Sequence, residues 1–177
     1  MSSFYVYLIS SLPVMHFGTK PPFSFERFLE LCKEFIPEKD NRILEGLPEA
    51  AGYSPEVLTH PLVKQWVAMD TALRNELVKV RSSRRHTDAA KYLRSDGYLD
   101  SSLALAALAA QRNPSPLEAE RILDQERWRL LDELAARNFF NLEYLIAYAY
   151  KLKILARWEK IQAADKNTLL ENTLSNI

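Results

Sequence analysis

The chain has 177 residues, 47% of them hydrophobic and only four of them glycine, which is typical of one folded, helix-rich domain. Its 23 Lys and Arg are balanced by 23 Asp and Glu, which excludes a global field that would attract nucleic acid or anionic lipid. The scattered glycines exclude a phosphate-binding loop, and a single cysteine excludes an internal disulfide and a cysteine-based zinc site. No run reaches the roughly 20 apolar residues that a membrane span needs, so we expect a cytoplasmic protein without membrane insertion.

The N-terminal stretch 4–9 is rich in aromatic and β-branched residues, which favours an extended strand over a helix. Residues 10–13 interrupt it, and a second apolar run at 14–17 can fold back beside it. The sequence therefore predicts a short N-terminal extended arm or hairpin. Either the arm packs on its own core, or it is offered to a partner.

Two helices and a break follow. Ser24 is the predicted N-cap of a helix that begins at Phe25 and whose apolar residues recur at three- and four-residue spacing until Pro37. A shorter helix is predicted over 39–47. Proline and glycine punctuate the next segment, which predicts a weak hinge near 48–60 within a single domain spanning 1–177.

The segment 61–94 carries an apolar seam typical of helix packing, and its second half is basic. One interpretation is a binding site for phosphate groups or RNA, although aromatic residues are scarce there. The other is a helix end whose cations match the helix dipole and meet an acidic helix of this protein or of a partner. We favour the second, because the total charge is balanced. The basic residues are Arg74, Lys79, Arg81, Arg84, Arg85, Lys91 and Arg94.

The sequence also predicts the last three helices. Residues 101–110 form a small-residue helix, and Ser115 with Glu118 predicts a capping box at the start of the next one. Asn141 is the predicted N-cap of a helix within 139–161, whose apolar residues cover most of its circumference. We expect this to be the central helix of a bundle of five or six helices.

Catalytic and metal-binding patterns are missing. His16, His60 and His86 are far apart in sequence, no serine lies in a GxSxG elbow, and Cys32 lies in an apolar run. Carboxylates at helical spacing are more often a solvated face than an acid–base pair. We therefore expect a protein that is not an enzyme and that uses no cofactor or metal.

One helix resembles a helix of the C subunit (d in eukaryotes) of V/A-type ATPases, in which the pattern is approximately F-x-x-E-x-x-x-A-Y followed by Lys, Ile and Arg. The N-terminal region is similar to a small uncharacterised family encoded among bacterial V-type ATP synthase subunits. The first resemblance rests on Phe140, Glu143, Ala147, Tyr148, Lys151, Ile154 and Arg157, with Leu152 and Lys153 replacing acidic residues and Arg157 about two positions early. The second rests on Tyr7, Ser11, Leu12, Pro13, Pro21, Phe25, Phe28, Leu29 and Cys32.

These resemblances imply an all-α protein like a reduced C subunit, which either replaces or accompanies the full-length one. They imply a non-catalytic adapter that serves ion or proton transport by coupling the central stalk to the membrane rotor ring, held peripherally on the cytoplasmic face of the inner membrane by its partners. The alternative is a nucleic-acid- or phosphate-binding helical protein that uses Arg81, Arg84 and Arg85. The candidate partner-binding residues are Lys79, Arg81, Arg84, Arg85, Glu143, Tyr148, Lys151 and Arg157.

Overall fold

The protein is all-helical, as predicted. A computed structural model describes residues 3–47, 55, 57–95 and 97–174, with side chains from 4 to 164, and these residues contain no β-strand. Each of the six helices predicted from sequence is present, although the segment 61–94 is α-helical only to Arg85, and the N-terminal segment adds a seventh. The α-helices are α1 (Ser3–Ser11), α2 (Phe25–Phe35), α3 (Glu38–Glu45), α4 (Pro61–Arg85), α5 (Ser101–Arg112), α6 (Pro116–Ala136) and α7 (Leu142–Leu174), with 3-10 turns at Val57–Thr59 and Ala89–Lys91.

The N-terminal segment is a helix, so the predicted extended arm or hairpin is wrong. A helix brings Tyr5, Leu8 and Ile9 to one face, because they are three and four residues apart. Leu8 and Ile9 are buried, and the Tyr5 hydroxyl donates a hydrogen bond to Asp40 in α3. Burial of this face outweighs the β-propensity of the side chains. Residues 14–17 are irregular backbone leading into a turn.

The Cα positions divide the chain into two compact units. Unit 1 comprises Met1–Gly52 and Asn138–Ile177, and unit 2 comprises Tyr53–Arg137. The first boundary lies inside the segment where a hinge was predicted, and residues 48–54 and 56 of that segment are outside the described residues. One domain with a weak hinge stays a prediction.

Unit 1 is built on α7. Residues 145–150 are all buried, and α2 and α3 both pack on this helix, so it is the central helix of unit 1; its central position in a bundle of five or six helices stays a prediction. The rings of Phe28 and Tyr148 stack with centroids 5.5 Å apart, and the Tyr148 hydroxyl donates to the Pro13 carbonyl oxygen at 3.0 Å. Lys153 donates to the carbonyl oxygen of Leu47. These contacts tie the segments following α1 and α3 to the central helix.

The predicted N-caps are present. The side chains of Ser24 and Asn141 each accept a hydrogen bond from a backbone N–H three residues ahead, at 3.2 and 3.1 Å. Ser115 accepts from the Glu118 N–H at 3.3 Å, but its own N–H donates to the side chain of Asn113 at 2.9 Å instead of to Glu118. The cap of α6 is therefore formed, and Asn113 takes the acceptor role of the capping box.

Unit 2 is a bundle in which α4, α5 and α6 pack on one another. A buried ion network joins α4 to α6: Arg127 donates to Asp70 at 2.8 Å and to Asp124 at 2.9 Å. Burial alone would lower the pKa of Arg127, but the two carboxylates outweigh burial and raise it above its ordinary value. This side of α6 is thus neutralised within the unit.

Candidate partner-binding surface

The C-terminal half of α4 presents three exposed arginines, Arg81, Arg84 and Arg85, which we call the arginine cluster. Arg84 and Arg85 follow Arg81 by three and four residues, so both side chains adjoin it, with Cβ atoms about 5–6 Å away. Ser82, between them in sequence, is buried. The cluster therefore faces away from the packed side of the helix.

The end of α4 is set by backbone hydrogen bonds. His86 adopts the left-handed conformation, with φ of 52°, and its N–H donates to the carbonyl oxygen of Ser83 at 3.3 Å. The Thr87 N–H donates to the carbonyl oxygen of Ser82 at 3.0 Å. This pair of bonds is a Schellman motif, with His in the position that glycine usually occupies. The chain consequently reverses directly after the arginine cluster.

Neighbouring cations on α4 are neutralised within the helix, whereas the cluster is not. Lys79 pairs with Glu76 at 2.5 Å, and Arg74 pairs with Asp70 at 2.7 Å. Among the described residues, no ion pair or side-chain hydrogen bond is made by the arginine cluster. Within the described part of the chain, these three guanidinium groups therefore have no carboxylate partner. They are at the C-terminal end of a helix, where the dipole favours positive charge.

The chain after α4 runs back along the same helix, in residues 87–95, which we call the return segment. Its 3-10 turn packs on α4. Asn75, three helical turns before the end of α4, donates to the Arg94 carbonyl oxygen at 2.6 Å and accepts from the Arg94 N–H at 3.0 Å. Asn75 is buried, whereas Tyr92 is 63% exposed. The return segment is therefore fixed beside α4, and it carries an exposed aromatic ring.

Sequence reasoning found aromatic residues scarce beside the arginines and gave no role to Tyr92 or Asn75. A weak sign of Asn75 was available, because an amide in a helix interior is a poor helix former and is often retained for a hydrogen bond. Nothing in the sequence indicates that its partner is 19 residues away. That contact depends on the reversal at His86.

The predicted residues of α7 belong to unit 1 and have a different setting. Tyr148 is only 5% exposed, and burial, with a smaller contribution from Tyr144, raises its pKa above the ordinary value. Glu143, Lys151 and Arg157 each take part in an interaction, so none of them is without a partner. Their settings agree with a structural role, and their part in partner binding stays a prediction.

The rest of the described chain offers little for chemistry. It contains no group of three or more His, Cys, Asp or Glu that could hold a metal ion. A cavity of about 310 Å³ on unit 1 is lined by Ile36, Asn41 and two ion pairs, Lys33 with Glu45 at 2.8 Å and Arg42 with Glu38 at 2.5 Å. Burial raises the pKa of the Cys32 thiol to about 12. No described helix is both long and apolar enough to cross a membrane.

Fold and surface together define an all-helical protein with an exposed arginine cluster. The sequence profile of a family of proteins of unknown function, DUF2764, matches residues 94–172, which cover α5, α6 and most of α7. No curated protein and no solved structure matches the chain. The matched region contains the α7 residues that resemble the V/A-type C subunit, whereas the arginine cluster and the N-terminal region lie outside it. The family description supplies no activity.

Proposed function

We propose that the protein is a non-catalytic adapter of a V-type ATP synthase, in which the arginine cluster docks on an acidic surface of another subunit. The observation that carries this proposal is the difference in charge pairing along α4. Arg74 and Lys79 are neutralised by carboxylates of the same helix, and the three arginines that follow are exposed and make no ion pair with another described residue. An unpaired cluster on one helix end is suited to a partner that supplies the missing carboxylates.

Guanidinium groups suit this role because each presents five donors in a planar fork that can bind a carboxylate with two hydrogen bonds. In free solution their field is screened within about 8–10 Å. When a partner covers them, water is removed and each pair becomes stronger, provided that every charge finds an opposite one. Docking should therefore be fast at low salt and should weaken as salt rises.

Two resemblances, of α7 to the V/A-type C subunit and of the N-terminal region to a family encoded with V-type subunits, indicate which assembly the protein serves. In this proposal the central stalk and the rotor ring are the partners, and the adapter couples them during proton or ion transport. The helices do this mechanically, without a cofactor. The protein would be held on the cytoplasmic face of the inner membrane through these partners, without insertion.

The test is affinity capture of the full-length protein from cells that contain the V-type subunits. We expect stalk and ring subunits to be captured by the wild type and lost from the charge-reversed variant R81E/R84E/R85E. The matched control is R112E/R121E/R137E, which makes the same charge change at exposed arginines of unit 2 outside the cluster. An intact ATP synthase purified without this protein, with full coupling of ATP hydrolysis to ion transport, would refute the proposal.

A second function, binding of nucleic acid or another phosphate-bearing ligand, is favoured by one observation. The exposed Tyr92 ring is on the return segment beside α4, and stacking rings with arginines are typical of single-strand binding surfaces. This function predicts oligonucleotide binding that weakens steeply with salt and is abolished in R81A/R84A/R85A. Absence of binding at low salt would remove it.

A further inference from the structure

We infer that α1 pairs with α1 of a second copy of this chain, so that the protein forms a homodimer through its N-terminal helix. The exposed face of α1 carries Phe4 and Tyr7, which are 58% and 64% exposed, and Ser11. We call these three residues the α1 seam. The seam is in unit 1 and the arginine cluster is in unit 2, so this inference does not depend on the proposed function.

Apolar side chains lie on two sides of α1, and unit 1 covers only one of them. Leu8 and Ile9 are buried on the covered side. On the other side Phe4, Val6 and Tyr7 are exposed. A helix that is apolar on most of its circumference is normally covered on most of it. The exposed side of α1 is therefore a candidate for contact with another molecule.

The exposed rings of unit 1 form a continuous and ordered surface. Phe4 and Tyr7 are three residues apart on one helix, so their side chains are neighbours. The Tyr7 ring also contacts the half-buried ring of Phe35 in α2, with centroids 5.2 Å apart. Because this contact already holds the Tyr7 ring, a partner loses less conformational freedom by binding it. Ordered aromatic side chains of this kind are typical of the centres of protein interfaces.

The chemistry of α1 favours a second copy over a membrane. The helix Ser3–Ser11 contains no charged residue. Helices that lie on membranes usually carry Lys and Arg on their polar face, whereas the centres of protein interfaces are depleted in charge. A two-fold axis brings the same patch of both copies together, so a patch of one charge would repel itself. The uncharged seam meets its own copy without this repulsion.

The spacing of the α1 seam also suits pairing with itself. Its residues are three and four positions apart, which is the spacing of a seam between two packed helices. In an antiparallel pair, Phe4 lies opposite Ser11 of the second copy, so that a large side chain faces a small one, and the two Tyr7 rings lie side by side near the axis. The Ser11 hydroxyl already donates to the Leu8 carbonyl oxygen at 2.7 Å, so covering it leaves no donor unpaired.

The area of the seam sets the expected strength of the dimer. A buried Phe or Tyr removes about 150–250 Å² from water, so the exposed parts of these two rings amount to about 90–160 Å² each. Four such rings in a dimer give roughly 500 Å², and stable interfaces bury about 1,200–2,000 Å² in total. Even with the surrounding side chains, we therefore expect a weak dimer that forms reversibly at micromolar concentrations or above.

The first experiment is sedimentation equilibrium of the full-length protein from low micromolar to high micromolar concentration. The average mass of the wild type should rise with concentration from that of the monomer towards twice that value. Tyr7→Glu, which places two carboxylates near the axis, should raise the Kd of the dimer at least about tenfold, whereas Tyr7→Phe, which keeps the ring, should change it less than about threefold. The matched control is Leu105→Glu, the same charge change at an exposed apolar residue of unit 2, which should leave the Kd within about twofold.

A wild type that stays monomeric over the whole range overturns the inference, whether or not it floats with vesicles of neutral phosphatidylcholine. Equal Kd values for Tyr7→Glu and the wild type overturn it as well, because the dimer then uses another surface. The circular dichroism spectrum of Tyr7→Glu should match that of the wild type, since the side chain is on the surface.

The second experiment detects the α1 contact without changing either aromatic ring. Ser11→Cys places one thiol on each α1, and in the antiparallel pair the two are about 10 Å apart along the helix axis, within reach of a bismaleimide. The native Cys32 is buried, so the reaction is confined to the introduced thiol. We expect a cross-linked dimer with Ser11→Cys but not with Leu105→Cys, and its loss when Tyr7→Glu is added. Equal cross-linking of the two single-thiol proteins, or no loss on adding Tyr7→Glu, would contradict pairing through α1.

Discussion

The ion network between α4 and α6 gives the largest single-residue effect that we expect on the stability of unit 2. Arg127 is the cation shared by Asp70 and Asp124, with N–O distances of 2.8 and 2.9 Å. The Arg127 side chain is 15% exposed and that of Asp124 only 1%. The substitution Arg127→Met removes the charge and keeps most of the volume, so its effect reports the loss of the pair.

Removal of one partner from a buried ion pair typically costs about 3–5 kcal/mol, because the other charge stays buried without compensation. Asp70 is 17% exposed and retains Arg74 at 2.7 Å, whereas Asp124 is only 1% exposed, so most of the penalty should fall on Asp124. We therefore expect Arg127→Met to lower the free energy of unfolding by about 3 kcal/mol. The double variant R127M/D124L should recover at least about half of that loss, since the buried Asp124 charge is then removed together with its cation. Arg121→Met, whose partner Glu118 is 3.9 Å away and half exposed, should cost less than about 0.5 kcal/mol.

Urea unfolding followed by tryptophan fluorescence measures this quantity. Trp66 and Trp128 are buried in unit 2, and Trp158 is buried in unit 1, so a Trp158→Phe background restricts the fluorescence to unit 2. All variants should share one slope of unfolding free energy against urea, which confirms that the same surface is exposed. The reasoning is refuted if Arg127→Met loses less than about 1 kcal/mol, or if the double variant is less stable than the single one.

Three further predictions concern single groups. Tyr148→Phe keeps the buried ring but leaves the Pro13 carbonyl oxygen without its donor, so urea unfolding should show a loss of about 1 kcal/mol, and no loss would contradict the hydrogen bond. The Cys32 thiol, whose pKa burial raises to about 12, should react with a disulfide reagent slowly in the folded protein and quickly in urea, and equal rates would contradict its burial. Burial alone would raise the pKa of Asp100, but hydrogen bonds from the start of α5 and from α6 outweigh it and lower the pKa. A lowered folded-state pKa adds stability above the unfolded value of about 3.9, which is lost as the pH falls through the folded-state pKa, so Asp100→Asn should be less stable at pH 7 and equal to the wild type in strong acid. A difference that persists in acid would point to a cause other than ionisation.

The parts of the fold that follow local rules could be predicted from the sequence. Ser24, Ser115 and Asn141 cap helices because their side chains reach a backbone N–H of the first turn, which is a contact between neighbours in sequence. The central helix could be predicted because apolar residues on most of its circumference require neighbours on most sides. The partition of the chain into units could not, since unit 1 combines both ends of the chain around α7.

The N-terminal segment shows how local preference can mislead. Residues 4–9 have the composition of a strand, yet Tyr5, Leu8 and Ile9 also have the spacing of a helix face. Composition and spacing disagree there. The helix prevails because α2 packs on α1 and because Asp40 of α3 accepts the hydrogen bond of Tyr5. Where two local indications conflict in a short segment, tertiary burial is the larger energy.

The three arginines of the cluster have no carboxylate partner within α4, and the reason is the point at which the helix ends. Arg74 and Lys79 have a carboxylate four and three residues before them on the helix, which is the spacing that forms an ion pair. Arg81 has no acidic residue at either spacing. Asp88 is three and four residues beyond the last two arginines, and it would neutralise one of them if the helix continued. Because α4 ends at Arg85, the Asp88 side chain instead accepts the hydrogen bond that starts the next 3-10 turn. The same reversal thus removes Asp88 from the helical spacing at which it would pair with Arg84 or Arg85, and it brings the return segment back beside α4.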